Sequence, residues 1–538
     1  MPVACYGSVA GDIHDQDDAE LEATGYQREM PRQYSMMSLL ALAYALICTW
    51  NGFGSALGTG LRTASTAGSI FMLLPAAGFI GVVSLGMAEL TSAYPVASGQ
   101  FYWVYALSPP EWAPFASYMT GVISVIGLWL GGASTYNFIS GMTLSIAQFI
   151  HSDYEIEAWH KYLVYVAVVW LSAGINIFGS RALPSFNKFI FSFSLATFII
   201  SVAAMLAGSY PNYRPARWVF TDVTDSTGWG GNGVSLIFCF INALYGFLGT
   251  DAGVHMTEEI PNPSVNGPKV ILYPVLIGLM TVVPFACTCM FVIKDMDAIL
   301  HAPSGLPLIQ VYYQATQSST TTVLLMVAFT VCFFACGVAN MTGASRQIWS
   351  AARDECFPLS EYWKKINPTY QMPLNAVLVQ AVFNTAYGLI FLGSQVAFSL
   401  MVSASIIFLV GSYVIPQAIL TFRNRERLLP PRAFDLGRWG YIVNMMSTVW
   451  TLFLCIACCI PTELPITKSN MNYNSVVALS LLALAYAGWI YSRKGVFKGP
   501  KIDTQLLYNA RVKALQATDE QIDERTYLIQ HNSAYVDF

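Results

Sequence analysis

The sequence predicts an all-α integral membrane protein of twelve spanning helices, and three observations carry that prediction. Hydrophobic residues make up 55% of the 538 and charged ones only 11%, whereas soluble domains carry about 25% charged residues. The mean hydropathy of +0.50 agrees. The apolar residues gather into twelve runs of about the length a bilayer requires. The first and sixth of these runs are interrupted by glycines.

The chain opens on an acidic stretch, residues 1–34, with Asp12, Asp15, Asp17, Asp18, Glu20, Glu22 and Glu29 against Arg28 and Arg32. It has no apolar core of the kind a cleaved signal carries and reads as a disordered tail. The spans follow at 35–61, 67–91, 115–149, 160–179 and 185–208, then, after an external loop at 209–230, at 231–256, 268–293, 321–350, 373–393 and 395–421. A basic loop at 422–438 precedes the last two, 439–460 and 472–492, and a polar tail at 493–538 closes the chain. An even number of spans puts both termini on one side. Of the 27 Lys and Arg, only Arg62, Lys161, Arg214, Arg217, Lys294 and Lys468 fall on the other side. The excess of positive charge therefore assigns the termini and the basic loop to the cytoplasm.

The sixth span, VSLIFCFINALYGFLGTDAGVHMT at 234–257, carries Gly246, Gly249 and Gly253, with Asp251 and His255 beyond the break. Unwound backbone at membrane depth is tolerated only where protein or a water-filled cavity satisfies its N–H and C=O groups. An ionisable group there marks a functional site by default, with a glycine-lined helix contact as the plainer alternative. The first span, YSMMSLLALAYALICTWNGFGSALGTGL at 34–61, crowds Asn51, Gly52, Gly54, Ser55, Gly58 and Gly60 into one part. If spans one to five and six to ten are two copies of one unit, these segments correspond. A matched pair of broken helices points to an inverted-repeat carrier with its ligand between the breaks. Two unrelated packing faces would leave the same glycines.

Beyond the break, the spacing of Asp251, His255, Glu258 and Glu259 puts titratable groups on one helix face, from mid-membrane toward the cytoplasm. The stripe suits a proton relay or an amine contact for Asp251 and His255. For the glutamates it suits a closed inner gate, in which Glu258 or Glu259 pairs with Arg346 or Arg353. Glu89, at the inner end of span two, is either a third gate residue or part of a turn. The segment LPLIQVYY within 295–319 is expected to form a short helix over the outer mouth.

The eleven cysteines are mostly in apolar runs and suggest core packing, with neither a disulfide framework nor a metal site. The histidines are scattered, without paired or triad spacing, so an enzyme is not indicated. Nothing points to a cofactor or to nucleic acid.

Three runs are familiar as residues. AELTSAYPVASGQFYWVYALSP at 88–109, TDAGVHMTEEIPNPSVNGP at 250–268 and ASRQIWSAARDECFP at 344–358 resemble permeases of the amino acid–polyamine–organocation superfamily. The second of them resembles the sixth-helix exit of its fungal branch, the amino acid/choline transporter family that includes GABA and choline permeases, and the likeness runs from Tyr34 to about Arg493. It implies two inverted five-helix repeats plus two extra helices, working by alternating access. By position it implies ligand contacts from Gly54, Ser55 and Ala56 and from Gly246, Phe247, Leu248 and Gly249, with Tyr245 as an aromatic lid that Trp50 or Phe247 could join. The ligand would be an amino acid or related amine, with choline, GABA or a polyamine as alternatives and a proton as co-substrate. A plasma membrane is implied, or else a vacuolar one, and a nutrient sensor that binds without transporting remains a different class. One departure is clear: some bacterial proton-coupled relatives carry a lysine in span five, where 189–210 holds no charge and Ser194 occupies the position.

Overall fold

The computed structural model describes residues 17–225, 227–230, 232–302, 305–393, 395–467, 471–502, 506–510, 512 and 516. Residues 1–16 of the acidic stretch and most of the last part of the tail lie outside the described residues. Eleven helices are long and apolar enough to cross a membrane, and the apolar helix Leu374–Gly393 supplies the twelfth expected span. In chain order we call them S1 (Met36–Ser55), S2 (Leu73–Ala93), S3 (Ala113–Ile150), S4 (Ala158–Phe178), S5 (Leu183–Ser209), S6 (Gly233–Glu259), S7 (Pro263–Val292), S8 (Ser319–Arg353), S9 (Leu374–Gly393), S10 (Gln395–Phe422), S11 (Trp439–Ala457) and S12 (Asn474–Arg493).

Burial sorts these helices. In their most apolar windows S1 is 89% buried, S5 28% and S12 11%, so S1 is the axis and S5 and S12 lie on the outside of the bundle. Exposed Phe189, Ile199, Leu479 and Leu484 are what a lipid-facing surface requires. S7 packs along S2, S3 runs against S8 and S10, and S1 lies among S5, S7 and S8. The helix Pro307–Thr316 lies over one end of the bundle, touching S5, S8 and the end of S1. We call that end the far face, and the end holding the described parts of both termini the tail face.

Two expectations are corrected. S1 breaks at Cys48, which sits in the left-handed region with φ 50° and ψ 41° between the helices Met36–Ile47 and Thr49–Ser55. The glycine-rich part at 52–60 lies in two helices, Thr49–Ser55 and Leu57–Phe71, that meet at Ala56 (φ −100°, ψ 9°), and its glycines serve close packing: a Cβ on Gly52 would stand 2.9 Å from Gly246 Cα, and one on Gly58 2.6 Å from Pro307 Cγ. The second correction concerns the acidic stretch. Its residues 17–34 are ordered, with a helix at 17–23, and Leu21, Tyr26, Met30 and Tyr34 are buried against the tail face. After S12, Phe497 packs with Phe101 and Tyr118.

Candidate functional site

The broken helices meet. S6 ends its α-helical part at Tyr245, passes through Gly246, Phe247 and Leu248 on short i to i−3 hydrogen bonds, turns at Gly249 and resumes as a 3-10 helix over Thr250–Glu259. Gly249 has φ 89°, a conformation that costs an L-residue roughly 1–2 kcal/mol. Each break frees backbone groups that a continuous helix would pair. In S1 the carbonyl of Leu46 accepts a hydrogen bond from the Cys336 thiol at 3.2 Å in place of a backbone N–H.

Between the breaks lies a cavity of about 50 Å³, lined by Ile47, Cys48 and Gly52 of S1, by Tyr245, Leu248 and Gly249 of S6, and by Thr135, Phe333, Cys336, Asn340 and Ser405 of S3, S8 and S10. Each water needs about 10–15 Å³, so a few fit, and the walls must part to admit a larger solute. No lining residue is charged. Tyr245 hydrogen-bonds Ser134 through its hydroxyl at 2.9 Å and packs its ring against Phe138.

The expected ligand contacts divide. Tyr245, Leu248 and Gly249 face the cavity. Gly246 is at the crossing with Gly52, and Phe247 is buried away from the lining. Gly54, Ser55 and Ala56 are not in the wall, because the break lies a helical turn or more before them. Gly54 packs on Phe329 and Leu308, the Ser55 hydroxyl donates to the Gly52 carbonyl at 2.8 Å, and the Ala56 carbonyl accepts from Asn242. Trp50 is fully buried among Phe198, Phe285 and Phe329, with its indole N–H donating to Ser194 at 3.1 Å. The lining residues Cys48, Thr135, Cys336, Asn340 and Ser405 carry no sequence signal. They come from four helices, and only the fold unites them.

Just beyond Gly249, Asp251 and His255 are wholly buried and joined. The Asp251 carboxylate accepts from the Tyr413 hydroxyl at 2.6 Å and from the Gln100 amide at 3.2 Å. His255 Nε2 lies 3.3 Å from Asp251 Oδ2, and its Nδ1 lies 2.9 Å from the Ala97 carbonyl. A carbonyl only accepts, so Nδ1 carries a hydrogen. The Nε2 to carboxylate contact then needs one further proton, on the ring or on the acid. The two groups satisfy one another in a place where a lone charge would be costly. Gln100 and Tyr413 were absent from the expected site, being over 100 positions from Asp251 in opposite directions.

The tail face is closed by buried ion pairs. Arg353 grips Glu258 with both terminal nitrogens, at 2.8 and 3.0 Å, and Arg346 Nε meets Glu259 at 3.0 Å. Glu89 instead accepts from Arg425 at 2.6 Å and from Arg432 and the Leu436 N–H at 3.0 Å each, which fastens the basic loop to S2. Ala97 joins these groups to the Asp251 and His255 pair: its N–H donates to Glu258 at 3.0 Å, while its carbonyl receives His255 Nδ1 and the Ser350 hydroxyl.

Residues 17–34 lie across this closure as a strap. Tyr26 donates to Asp354 at 2.6 Å, and the Arg353 guanidinium lies 3.7 Å over its ring. Met30 packs with Ala97 and Trp349, and the Tyr34 N–H donates to the Glu259 carbonyl at 3.2 Å. Burial pushes the Asp354 carboxyl up to about 6, against the opposing pull of Arg353 and the Tyr26 hydroxyl. Burial also raises the Glu29 carboxyl. A carboxyl whose pKa is raised in the docked strap binds its proton more tightly there, so acid favours docking and the advantage is lost as pH rises through about 6. Amide exchange of residues 17–34, corrected for intrinsic rates, is expected to quicken as pH rises from 5 to 7 (a span of about two units around that value). In Asp354→Asn, which keeps the Tyr26 acceptor, the dependence should shrink to what Glu29 contributes. Faster exchange on acidification in the wild type would contradict the assignment.

Comparison with known proteins adds a second line of observation. The family model described as amino acid permease matches residues 34–482. A choline transporter of Saccharomyces cerevisiae is 30% identical over 90% of this chain and 86% of its own length. Amino-acid permease BAT1 of Arabidopsis thaliana is 28% identical over 91% of this chain and 97% of its own. A 7-keto 8-aminopelargonic acid transporter of Saccharomyces cerevisiae is 24% identical, with 86% of this chain and 93% of that protein covered.

Proposed function

The chain belongs to the amino acid permease family, and on that premise we propose that it carries a small zwitterionic amino acid by alternating access, coupled to proton movement. It is an integral membrane transporter of amino acids or related amines. The observation that carries the finer reading is the pair of broken helices, S1 at Cys48 and S6 at 246–249, crossing at Gly52 and Gly246 beside a cavity with no charged wall residue. A zwitterion suits such a wall. Its carboxylate is stabilised by the N–H groups that begin the half-helix after Cys48, and its ammonium by the carbonyls that the first half leaves free. A ligand with a single charge would have no opposite side chain to neutralise it.

In this reading the tail face is cytoplasmic, as the excess of Lys and Arg there supports, and the membrane is the plasma membrane. Glu258 with Arg353, Glu259 with Arg346, and Glu89 with Arg425 and Arg432 form the inner gate. Breaking such a buried pair by removing one partner costs about 3–5 kcal/mol, so they must separate together for the inner side to open. Asp251 and His255 hold the coupling proton.

A quaternary amine is the second reading. Tyr245 and Phe333 both line the cavity, and an aromatic face attracts such a cation by about 0.5–2 kcal/mol. Uptake of radiolabelled neutral amino acids and of choline into proteoliposomes holding the purified protein separates the two. We expect saturable amino acid flux that choline does not match. Choline flux alone would replace the first reading by the second, and binding without flux of either would make the protein a sensor.

A further inference from the structure

The strap is fixed to both sides of the closure it covers. On the S6 side, the Tyr34 N–H and the Gln33 side-chain amide donate to Glu259, at 3.2 and 3.4 Å, and the N–H of Asn262, just before S7, donates to Asp17 at 3.0 Å. On the S8 side, Tyr26 donates to Asp354 at 2.6 Å, its ring lies under the Arg353 guanidinium, and Met30 packs with Trp349. The ion pairs of Glu258 with Arg353 and of Glu259 with Arg346 join the same two sides. Parting them must therefore strip the strap from one side or the other.

The strap is itself held down. Gly25 ends its helix at φ 91°, and a Cβ there would collide with the Lys501 carbonyl oxygen of the C-terminal tail. Two backbones come this close only where one of them carries no side chain. The tail is anchored in turn, since Phe497 packs with Phe101, Tyr118 and Cys356, and a Cβ on Gly499 would collide with the Tyr105 ring. Between the two, the Tyr102 hydroxyl donates to the Thr24 carbonyl at 3.0 Å.

We propose that the strap and the C-terminal tail form one autoinhibitory latch, closed where Gly25 meets Lys501, that holds the inner gate shut until the strap is released. The latch rests on the reading of the two ion pairs as that gate. It acts by differential affinity: the strap binds the closed arrangement, in which both sides are within reach, and loses contacts in the open one. Its release shifts the balance of closed and open forms while the cavity and the ion pairs keep every residue.

The test uses full-length protein in proteoliposomes with the tail face outward. Gly25→Val forces a β-branched residue into φ 91° and against the Lys501 carbonyl, whereas Tyr26→Phe removes only the hydroxyl that reaches Asp354. Glu258→Gln, which weakens the pair with Arg353 directly, is the control for the gate. Amide exchange of residues 17–34 reads docking. Opening is read by the rate at which a membrane-impermeant maleimide, added from the tail side, modifies Cys48 or Cys336 in the cavity wall, with the modified peptide identified by mass spectrometry. We expect both strap variants to exchange faster than wild type and their cavity cysteines to be modified at least about fivefold faster, the shift that losing a hydrogen bond or two allows. Unchanged exchange in both variants would overturn the clasp between strap and tail. Faster exchange with wild-type modification rates, while Glu258→Gln is modified faster, would overturn the latch and leave the gate standing. Modification no faster in any of the three would overturn the gate reading and the latch with it.

Discussion

Proteoliposomes carrying Asp251→Asn are expected to exchange labelled substrate across the membrane yet to accumulate none against a gradient when a pH difference is imposed. The carboxylate is held by Tyr413 and Gln100 and faces His255 Nε2. An asparagine of the same shape keeps the Tyr413 hydrogen bond at Oδ1 and, with its amide in the place of Oδ2, can donate to a neutral imidazole and to the carbonyl of a Gln100 side chain turned over to accept. The pair then has no need of the extra proton, and the protein still folds. Each unit of pH difference is worth about 1.4 kcal/mol per proton, or about tenfold accumulation for one proton per substrate. The variant should fall from that value to about 1, while its exchange rate stays within a few fold. Undiminished accumulation under a pH gradient would remove Asp251 and His255 from coupling.

The second large effect is expected at Gly249. Leucine there would have to adopt φ 89°, and its Cβ would stand 2.9 Å from Leu46 Cγ. Its remaining atoms would occupy the cavity that Gly249 lines. Uptake should drop at least about 100-fold, a loss of roughly 3 kcal/mol, with monodisperse protein still recovered. Gly78→Leu is the control, because an added Cβ at this exposed S2 position meets nothing within 4 Å. Normal uptake in Gly249→Leu would be incompatible with a ligand held at the S6 break.

Much of the architecture was legible in the sequence. The twelve spans follow from apolar runs bounded by charge, and the S6 break follows from Gly246 and Gly249, which leave the backbone free to unwind. The S1 break was misread for a physical reason. Glycine has two uses, to relax the backbone and to let two helices touch, and composition does not distinguish them. Gly52, Gly54 and Gly58 do the second, while the backbone turns at Cys48, a residue with no reputation for left-handed geometry. The strap was missed because its carboxylates dominate its composition. Tyr26, Met30 and Tyr34 supply few apolar atoms, but all three are seated in one closure, and Arg353 covers the tyrosine. The distant partners Tyr413 and Gln100 had no pattern to betray them, since only the folded bundle brings S10 and the segment after S2 to the carboxylate.

The backbone of Ala97 has a kinetic implication in the proposed mechanism. A proton leaving His255 would alter the hold on the Ala97 carbonyl oxygen, and the Ala97 N–H, in the preceding peptide unit, is the one that steadies Glu258 in its clasp with Arg353. Chemistry at one address would thus be transmitted as slackening at another through two peptide planes hinged at one buried Cα. Substituting that hinge residue would be felt as a change in timing between loading and opening, even with every ionisable group left in place.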